Sequence, residues 1–487
     1  MNKKYILYSI PVLIAAIVAG YFIFGRSNDA YVSMLPKNAT ALAHFDVKEL
    51  VDDADLTATE LYQLVTNTND NPQTAPLGID FQRPIYGFVS ETGNLGLAAA
   101  VSDIDDLQDR LDEMHARGKA SERTVQRGYE WVILDGQWLM AFNNQKALAM
   151  GPAVGAAQDA LRTEMATLLE QHRSESAVET PLFKMLQECD DPLAAVVAPE
   201  VLPSQGRKLL YQLGVHSQKD ALLKLTLGSD DNELELNAHV VALTTEVKEH
   251  LKKLDNAMRP LKGTNLDLTH ANNTALLAVN INGNSLVELL RSHTSTRTAL
   301  VALNMILDLD QMLKAIDGDV ALELLSPASI LSGFKLSDIS DFCLTAELSN
   351  TDFMERASTW GNDFIQVNAL TDNEYSLQLG HEQLFFGTFG KCLYFSSSQG
   401  LTGEGNEYIH SKRDALTECR FYATFFAPAL FSALLSQAAE NGIAIPLPPV
   451  LQQFQRFNIT MEDAGDIKFS LIAPEGVNIA KELVKRN

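Results

Sequence analysis

The sequence contains few of the residues that usually reveal a chemistry. Only four of its 487 residues are cysteines, and no two of them have C-x-x-C spacing. Zinc and redox sites usually need such closely spaced pairs. We therefore predict that the cysteines are small buried hydrophobic residues, with their disulfide state left open. They are Cys189, Cys343, Cys392 and Cys419.

Basic residues are also scarce. The chain carries 38 Lys and Arg against 62 Asp and Glu, which gives a formal charge of −24. Because such a surface repels polyphosphates, we exclude a nucleic acid as a partner. Acidic runs occur at 52–55, 103–114 and 229–235. They predict solvated faces in preference to divalent-cation sites.

Complete catalytic and cofactor motifs are absent from the sequence. An S-x-x-K match at 332–335 lacks its companion elements. A histidine at 381 begins H-E-x-x-H, but Phe385 stands where the second histidine belongs. A G-x-G-x-x-G pattern that starts at Gly403 ends in Tyr408. We therefore predict no catalytic, cofactor-binding or metal-binding residues, and favour a protein that is not an enzyme.

The first 30 residues predict a location. Lys3 and Lys4 precede an uncharged run from Tyr5 to Gly25, and Arg26 follows it. As a helix this run would span about 30 Å, the thickness of a bilayer core. We predict an uncleaved signal anchor, with the bulk of the chain outside the cytoplasm, on the periplasmic side or in the cell envelope. The alternative is a signal peptide that is cleaved near 18–20.

An internal repeat organises the rest of the chain. The segment "TALAHFDV" at Thr40 recurs as "TALLAVNI" at Thr274, and four further blocks recur in the same order. Ordered recurrence at long spacing indicates duplication. We predict two tandem copies of one module, at 31–260 and 261–487, after a cytoplasmic stub and anchor at 1–30.

The residue patterns predict an α+β module. Asp135-Gly136 between two apolar runs predicts a hairpin. The alternation in 233–241 predicts a strand with one buried and one wet face. A capped apolar stripe predicts a helix at 103–114, and a long helix signal occupies 156–173. We expect a mainly antiparallel sheet in each copy, with helices on one face.

Two polar residues of the first repeated strand are candidates for special roles. His44 stands beside Asp46, and such a pair invites a catalytic interpretation. The second copy has Ala278 at the place of His44, so the module does not require an imidazole there. Asp46 matches Asn280. Both side chains accept hydrogen bonds from backbone amides, so we predict that each caps the helix that follows.

Three stretches carry a family resemblance. "MLPKNATALAHFDVKELVDDADL" from Met34, "LGIDFQRPIYGFV" from Leu77 and the strand with its acidic cap at 95–106 resemble an uncharacterised family of Bacteroidetes cell-envelope proteins, a domain of unknown function. Members of that family are often lipoproteins, whereas this chain has no cysteine before Cys189. The resemblance implies an envelope location and no known activity.

These observations predict a membrane-anchored, extracytoplasmic, non-enzymatic protein of unknown function. Its partners would be the membrane, through the N-terminal helix, and an envelope protein that it binds or organises. One alternative is a carrier or sensor of an apolar ligand such as lipid, which an open cavity of about 300 Å³ or more would favour. A second alternative is a hydrolase with a noncontiguous site, which a cluster of His, Asp and Ser in a cleft would favour.

Overall fold

The structure is a computed structural model of the whole chain. It describes residues 29–49, 78–202, 204–230, 232–270, 273–292, 297–298, 300–301, 304, 309–326, 341–360, 365–379, 382–399, 405–440 and 453–479. The chain divides into two compact units, Met1–Val201 and Leu202–Asn487. We call them unit 1 and unit 2.

Unit 1 contains eight described strands, all paired antiparallel. Their order in space is β4-β5-β6-β7-β3-β2-β1-β8. Their bounds are β1 Ala41–Phe45, β2 Ile85–Val89, β3 Leu95–Ala100, β4 Thr124–Gln126, β5 Tyr129–Leu134, β6 Trp138–Phe142, β7 Lys146–Gly151 and β8 Leu193–Val197.

Three described α-helices accompany these strands: α1 Ile104–Ala116, α2 Ala156–Glu170 and α3 Pro181–Leu186. Short 3₁₀ turns occupy Asp29–Met34, Arg173–Glu175, Ala177–Glu179 and Pro199–Val201. Helix α2 lies within the predicted segment 156–173.

Unit 2 contains the remaining strands, again with antiparallel pairing throughout the described residues. Twelve of them follow one another in the order β15-β16-β17-β18-β14-β13-β12-β19-β20-β21-β10-β9, and β11 pairs with the end of β12. Their bounds are β9 Ala221–Asp230, β10 Glu233–Ala242, β11 Met258–Arg259, β12 Ala275–Asn282, β13 Ile316–Leu324, β14 Phe342–Leu348, β15 Ile365–Ala369, β16 Glu374–Leu379, β17 Glu382–Phe389, β18 Cys392–Ser396, β19 Phe421–Phe426, β20 Arg456–Met461 and β21 Asp466–Ile472.

The described helices of unit 2 are α4 Ser204–Gln212, α5 Thr245–Ala257, α6 Gly283–Ser292, α7 Leu309–Ala315, α8 Glu407–Ser411, α9 Arg413–Leu416 and α10 Ala427–Glu440. Two 3₁₀ helices complete the unit, at Thr264–Leu268 and Asp352–Thr359.

The same order of strand pairing occurs in both units. In unit 1 the path runs from β4 through β7 to β3, β2, β1 and β8. In unit 2 it runs from β15 through β18 to β14, β13, β12 and β19. Each unit thus places the strand of the repeated "TAL" segment between the strand that follows it and the strand that begins the "AP" block.

The structure corrects the predicted fold class. The 21 described strands form antiparallel sheet throughout. No helix in the described residues is long and apolar enough to cross a membrane. The predicted anchor at 5–25 lies outside those residues. The prediction of an N-terminal transmembrane helix followed by two self-contained modules is therefore replaced by an antiparallel sheet architecture with helices.

One strand pairing crosses the predicted boundary between the two tandem modules, and that boundary stays a prediction. Strands β9 and β10 were assigned to the first copy, but β10 pairs with β21 over seven residues, from Glu233 opposite Ile472 to His239 opposite Asp466. A recurrent sequence block indicates that a strand exists and does not specify which edge it joins. The division between units falls at Val201 and Leu202, whereas the predicted boundary at 260/261 lies inside unit 2.

Helices also pack on both faces of a sheet, not on one. In unit 1, Leu107 and Leu111 of α1 cluster with Val132 and Met140. On the opposite face, Tyr86 of β2 contacts Phe183 of α3 with ring centroids 5.8 Å apart. The reason is visible in the strands: β6 and β7 are buried at nearly every position, so both of their faces need cover.

Local predictions from turn and cap chemistry are confirmed. Asp135 and Gly136 both have positive φ, at 48° and 71°, as a type I′ hairpin requires. Asp103 begins α1, and its carboxylate accepts hydrogen bonds from the backbone amides of Asp105 and Asp106 at 2.9 and 3.3 Å. The acidic run at 103–114 is thus a capped helix and not a calcium loop.

The Asp103 cap gives a stability prediction. Asp103→Ala removes the acceptor for two backbone amides and should lower the free energy of unfolding by about 1 kcal/mol. Asp103→Asn keeps the acceptor oxygen, so it should lose only a few tenths of that. Urea unfolding of the three proteins measures the difference. Equal losses for the two variants would show that the carboxylate acts through its charge and not as a cap.

Candidate functional site

An apolar row crosses eight strands of the unit 2 sheet. One residue from each of β14, β13, β12, β19, β20, β21, β10 and β9 lies opposite its neighbour in register. We call this set the apolar row. Its members are Leu344, Leu322, Leu277, Ala423, Ile459, Phe469, Leu236 and Leu227. At the usual strand spacing the row is about 34 Å long.

The apolar row is only partly covered. Ala423 is buried, Leu236 is 38% exposed, and the other six members are half-buried. Aromatic rings flank it on the same face, with Phe457 lying 6.0 Å from Phe425 and 6.3 Å from Phe469, measured between ring centroids. A contiguous apolar surface of this kind on a folded protein usually marks an interaction site.

The opposite face of the same strands is polar and buried. Side chains alternate between faces, so each neighbour of an apolar-row residue points the other way. We call these neighbours the polar row: Glu323, Thr424, Asn458, Ser470 and Glu235, with Leu276 between the first two. Four of the five polar members are at least 93% buried. The sheet therefore buries its polar row, while the apolar row is half-buried next to Ala275 and Leu324, which are buried on the same face.

Hydrogen bonds compensate the burial of the one carboxylate deep in the polar row. Glu323 is 3% exposed. It accepts from the backbone amide of His270 at 2.8 Å, from His270 Nδ1 at 2.7 Å and from Asn273 Nδ2 at 2.7 Å. Asn406 donates to Asn273 at 3.2 Å and caps α8 through its own oxygen. Glu323 thus ties two loops to the buried face.

The apolar face of unit 1 is also partly open. Phe45 is 39% exposed, Leu95 46% and Leu97 43%. These side chains share a face with Gly87, and a Cβ on Gly87 would lie 3.3 Å from the Phe45 ring. At one end of this face α1 covers Val132 and Met140. The remaining part of the face is built from smaller residues than the apolar row of unit 2.

Unit 1 also contains a groove of about 710 Å³. Its floor includes Ala157, Leu161 and Leu168 of α2, and its rim includes Thr92 and Glu164. Glu164 accepts from Thr92 Oγ1 at 3.1 Å. The volume exceeds the 300 Å³ set out above and falls in the range of ligand pockets. Thr92 and Glu164 give this groove a polar rim above an apolar floor, whereas all members of the apolar row are apolar.

The two polar candidates of the repeated strand have structural roles. His44 is 8% exposed, and its Nε2 bonds to the carbonyl oxygen of Asp191 at 2.9 Å. Asp46 accepts from the backbone amide of Glu49 at 3.0 Å, which confirms the predicted cap.

The predicted cap at Asn280 is wrong, because β12 continues to Asn282. Asn282 accepts from Ser285 N at 3.1 Å and takes the capping role. Asn280 is instead 1% exposed and binds Arg259 and the Pro260 carbonyl.

The incomplete catalytic motifs gain no support from the structure. The S-x-x-K match at 332–335 and the histidine at 381 lie outside the described residues. No group of three or more metal-binding side chains occurs within the described residues. The absence of a metal site thus stays a prediction for the chain as a whole.

The cysteines are free thiols. Cys189, Cys343 and Cys419 are buried, as predicted, and Cys392 is half-buried. Burial raises the pKa of Cys343 to about 12 and those of Cys392 and Cys419 to about 11. These thiols therefore stay protonated at neutral pH and make poor nucleophiles.

The "GID" and "P-x-Y" stretches of the family resemblance are structural. Gly78 has a φ of 71°, and a Cβ there would lie 2.5 Å from the carbonyl oxygen of Asp103. Its own carbonyl accepts from the Ser102 amide at 2.9 Å. Tyr86 accepts a hydrogen bond from Gln187 at 3.0 Å. These residues fix how the strands meet α1 and α3 and leave no site chemistry to assign.

The apolar row was missed in the sequence because its signal is ambiguous. The stretch "FNITM" alternates, whereas "ALLAVNI" begins with five apolar residues, and alternation shows which residues share a face. It does not show which face meets solvent. The prediction for 233–241 illustrates this, because the predicted buried set contains Leu236, which is exposed.

The His270–Glu323 pair gives a pH prediction. The hydrogen bond that His270 Nδ1 donates to the Glu323 carboxylate raises the pKa of His270 above its usual 6.5. The stabilisation is therefore fully present below the unfolded-state pKa of about 6.5 and is lost as pH rises through the folded-state value. We expect the unfolding temperature to fall over that window. His270→Asn, which retains a donor near Nδ1, should flatten this part of the profile, whereas an unchanged profile would exclude the pair as its cause.

Comparisons with known proteins give a family and little else. A family model described as a domain of unknown function, DUF4836, matches residues 59–438. No curated protein matches the chain. Among solved structures, crystal form IV of TP0453 has a TM-score of 0.26 and 11% identity, covering 43% of this chain and 79% of that chain. Crystal forms III and I of TP0453 each have a TM-score of 0.27 and 10% identity, and each match covers 46% of this chain and 86% of that chain.

TM-scores this low do not establish a common fold. The family model covers most of the chain, including β2 to β8 of unit 1 and the unit 2 strands from β9 to β19. The chain belongs to the DUF4836 family of proteins of unknown function.

Proposed function

We propose that this protein is a non-enzymatic binding protein of the cell envelope that holds an apolar ligand on the apolar row of unit 2. The observation that carries the proposal is that the polar row is buried while the apolar row on the other face is only half-buried. Glu323, Thr424 and Asn458 are buried, while Leu277, Ile459 and Leu236 on the other face are half-buried or exposed. Exposed apolar surface is unfavourable in water, and a bound apolar ligand removes it from water.

The shape of the row favours a thin, flexible ligand. Of its eight members only Leu236 is exposed, while Ala423 is buried and the other six are half-buried. A narrow hydrocarbon chain can contact such half-buried side chains along the whole row, whereas a flat protein surface contacts mainly protruding side chains. The apolar row is about 34 Å long, so a lipid-like chain can lie on it over its whole length.

The location is proposed from the sequence and from the family resemblance. The formal charge of −24 suits a soluble exterior, and the resemblance of 34–106 implies the envelope. Lipids, which are apolar ligands, are present in that compartment. The Bacteroidetes origin and the lipoprotein habit of the resembling family belong to the same proposal, and neither carries the binding hypothesis.

The two rival functions receive less support. A protein partner that the chain organises would also cover apolar surface, but the half-buried side chains of the row offer it few protruding contacts. The nearest approach to a hydrolase site is His270 beside Glu323, with Cys343 opposite Glu323 in register. There the carboxylate accepts three hydrogen bonds from loop groups, and burial raises the pKa of Cys343 to about 12. Such a thiol is not an activated nucleophile.

Binding of an apolar fluorescent probe tests the proposal. Leu236 is 38% exposed, so Leu236→Glu places a charge in the row without opening a core. Loss of one buried leucine contact is worth about 1.5–3 kcal/mol, so the dissociation constant of a fatty-acyl probe should rise at least tenfold. The measurement is a fluorescence titration of the purified full-length chain.

Phe389→Glu is the matched control, because Phe389 is 73% exposed and lies on β17, outside the apolar row. This variant should bind the probe as the unaltered chain does. Equal weakening by both substitutions, or no binding by the unaltered chain, would contradict an apolar-ligand site at the row.

A further inference from the structure

Among the described residues, four buried polar atoms on the helix-covered face of unit 2 meet no hydrogen-bond partner at standard geometry, although the hydroxyls of Tyr422 and Thr424 lie close to each other. The four atoms are Tyr422 Oη, Thr424 Oγ1, Asn458 Oδ1 and Arg456 Nη1. Tyr422 is 2% exposed, Thr424 0% and Asn458 7%. A polar group that is buried without a partner costs about 1–3 kcal/mol. Four such atoms on two adjacent strands are therefore available to a ligand.

Strand register brings these atoms together. Thr424 of β19 lies directly opposite Asn458 of β20. Tyr422 and Arg456 are two residues away from them along their strands, on the same face. Tyr408 of α8 covers the group, and its hydroxyl accepts from Asn458 Nδ2 at 2.9 Å. The hydroxyls of Tyr422 and Thr424, the Asn458 amide and the Arg456 guanidinium thus lie on one face of two adjacent strands, with Tyr408 packed against them.

The charge of this cluster is positive. The Arg456 guanidinium lies 4.6 Å from the centroid of the Tyr408 ring and 5.9 Å from that of Phe426. Within the described residues no carboxylate forms an ion pair with Arg456. Burial raises the pKa of the Tyr422 hydroxyl well above its usual value, so this group stays a donor. A cation beside neutral hydroxyl donors suits an anion.

We propose that Arg456, Tyr422 and Thr424 form a binding site for a small oxyanion, a carboxylate or phosphate group, on the face of the unit 2 sheet opposite the apolar row. Arg456 Nη1 supplies the charge, and the hydroxyls of Tyr422 and Thr424 donate to the anion oxygens. Asn458 Oδ1 accepts from a hydroxyl or a protonated oxygen of the same ligand. Phe426, 42% exposed and paired with Arg456, marks the side that opens to solvent.

Unit 1 provides an internal comparison for this cluster. Leu42 of β1 pairs with Val196 of β8, whereas Leu276 of β12 pairs with Thr424 of β19. In the same way His44 pairs with Ala194, and Ala278 pairs with Tyr422. The positions that carry hydroxyls in unit 2 are therefore apolar in unit 1. The oxyanion site belongs to unit 2 and is not a requirement of the pairing pattern.

Thermal unfolding with added oxyanions tests the proposal. Inorganic phosphate and acetate, titrated at constant ionic strength into the purified full-length chain, should raise the unfolding temperature in a saturable way. Thr424→Val copies the residue of unit 1 at nearly constant volume. It should increase the apparent dissociation constant at least tenfold, because a hydrogen bond to a charged group is lost. Arg456→Gln should abolish the protection.

Thr226→Val is the matched control. Thr226 is 6% exposed and its hydroxyl accepts from Asn237 at 3.5 Å, away from Arg456. This variant should retain the protection by phosphate and acetate, measured against its own unfolding temperature.

Short-chain phosphatidate, compared with neutral phosphatidylcholine, distinguishes a lipid headgroup from a free ion. Protection by phosphatidate but by neither free ion would support the site and assign it to a headgroup. Three results would overturn the proposal: no protection by any oxyanion, equal protection of Thr424→Val, or a high-resolution structure in phosphate with water alone between Arg456 and Thr424.

Discussion

The position of Glu323 is the constraint on which unit 2 depends. Its carboxylate is 3% exposed and is stable there because His270 and Asn273 donate three hydrogen bonds to it. Strand side chains alternate strictly, so a carboxylate fixed on the inner face forces Leu322 and Leu324 to the outer face. If the register of β13 slipped by one residue, the Glu323 carboxylate would lie near Leu277 and Phe342, without hydrogen-bond donors. The position of Glu323 thus determines which side chains of these strands form the polar row and which form the apolar row.

The sequence specifies local structure well where the chemistry is local. Asp135-Gly136 predicts a hairpin because few other residue pairs tolerate two positive φ angles. Asp103 and Asp46 predict helix starts because their carboxylates reach amides two or three residues away. The pairing of β10 with β21 could not be predicted in this way, since it joins residues more than two hundred positions apart and both edges carry similar alternation.

The candidate site shows the same limit more sharply. Alternation in β10 groups Leu234, Leu236, Ala238 and Val240 on one face. The wet face was assigned to the polar side chains, as in an ordinary sheet with one core. Helix α8 and the turn at 264–268 instead cover the polar side, and Leu276 and Tyr422 pack against them. Only the tertiary position of these elements determines which face is open. The two units share one order of strand pairing but differ in the residues on this face. Phe88 and Val196 of unit 1 occupy the positions that Glu323 and Thr424 occupy in unit 2.

Photocrosslinking tests the central claim, that the half-exposed apolar row receives an apolar ligand. A fatty-acyl probe with a diazirine on its chain would be activated on the full-length protein, and the labelled peptides identified by mass spectrometry. We predict adducts concentrated in peptides that contain Leu236, Leu277 and Ile459, and competed by unlabelled fatty acid. Labels distributed according to exposure alone, with Phe389 and Val125 modified as strongly as Leu236, would contradict the account.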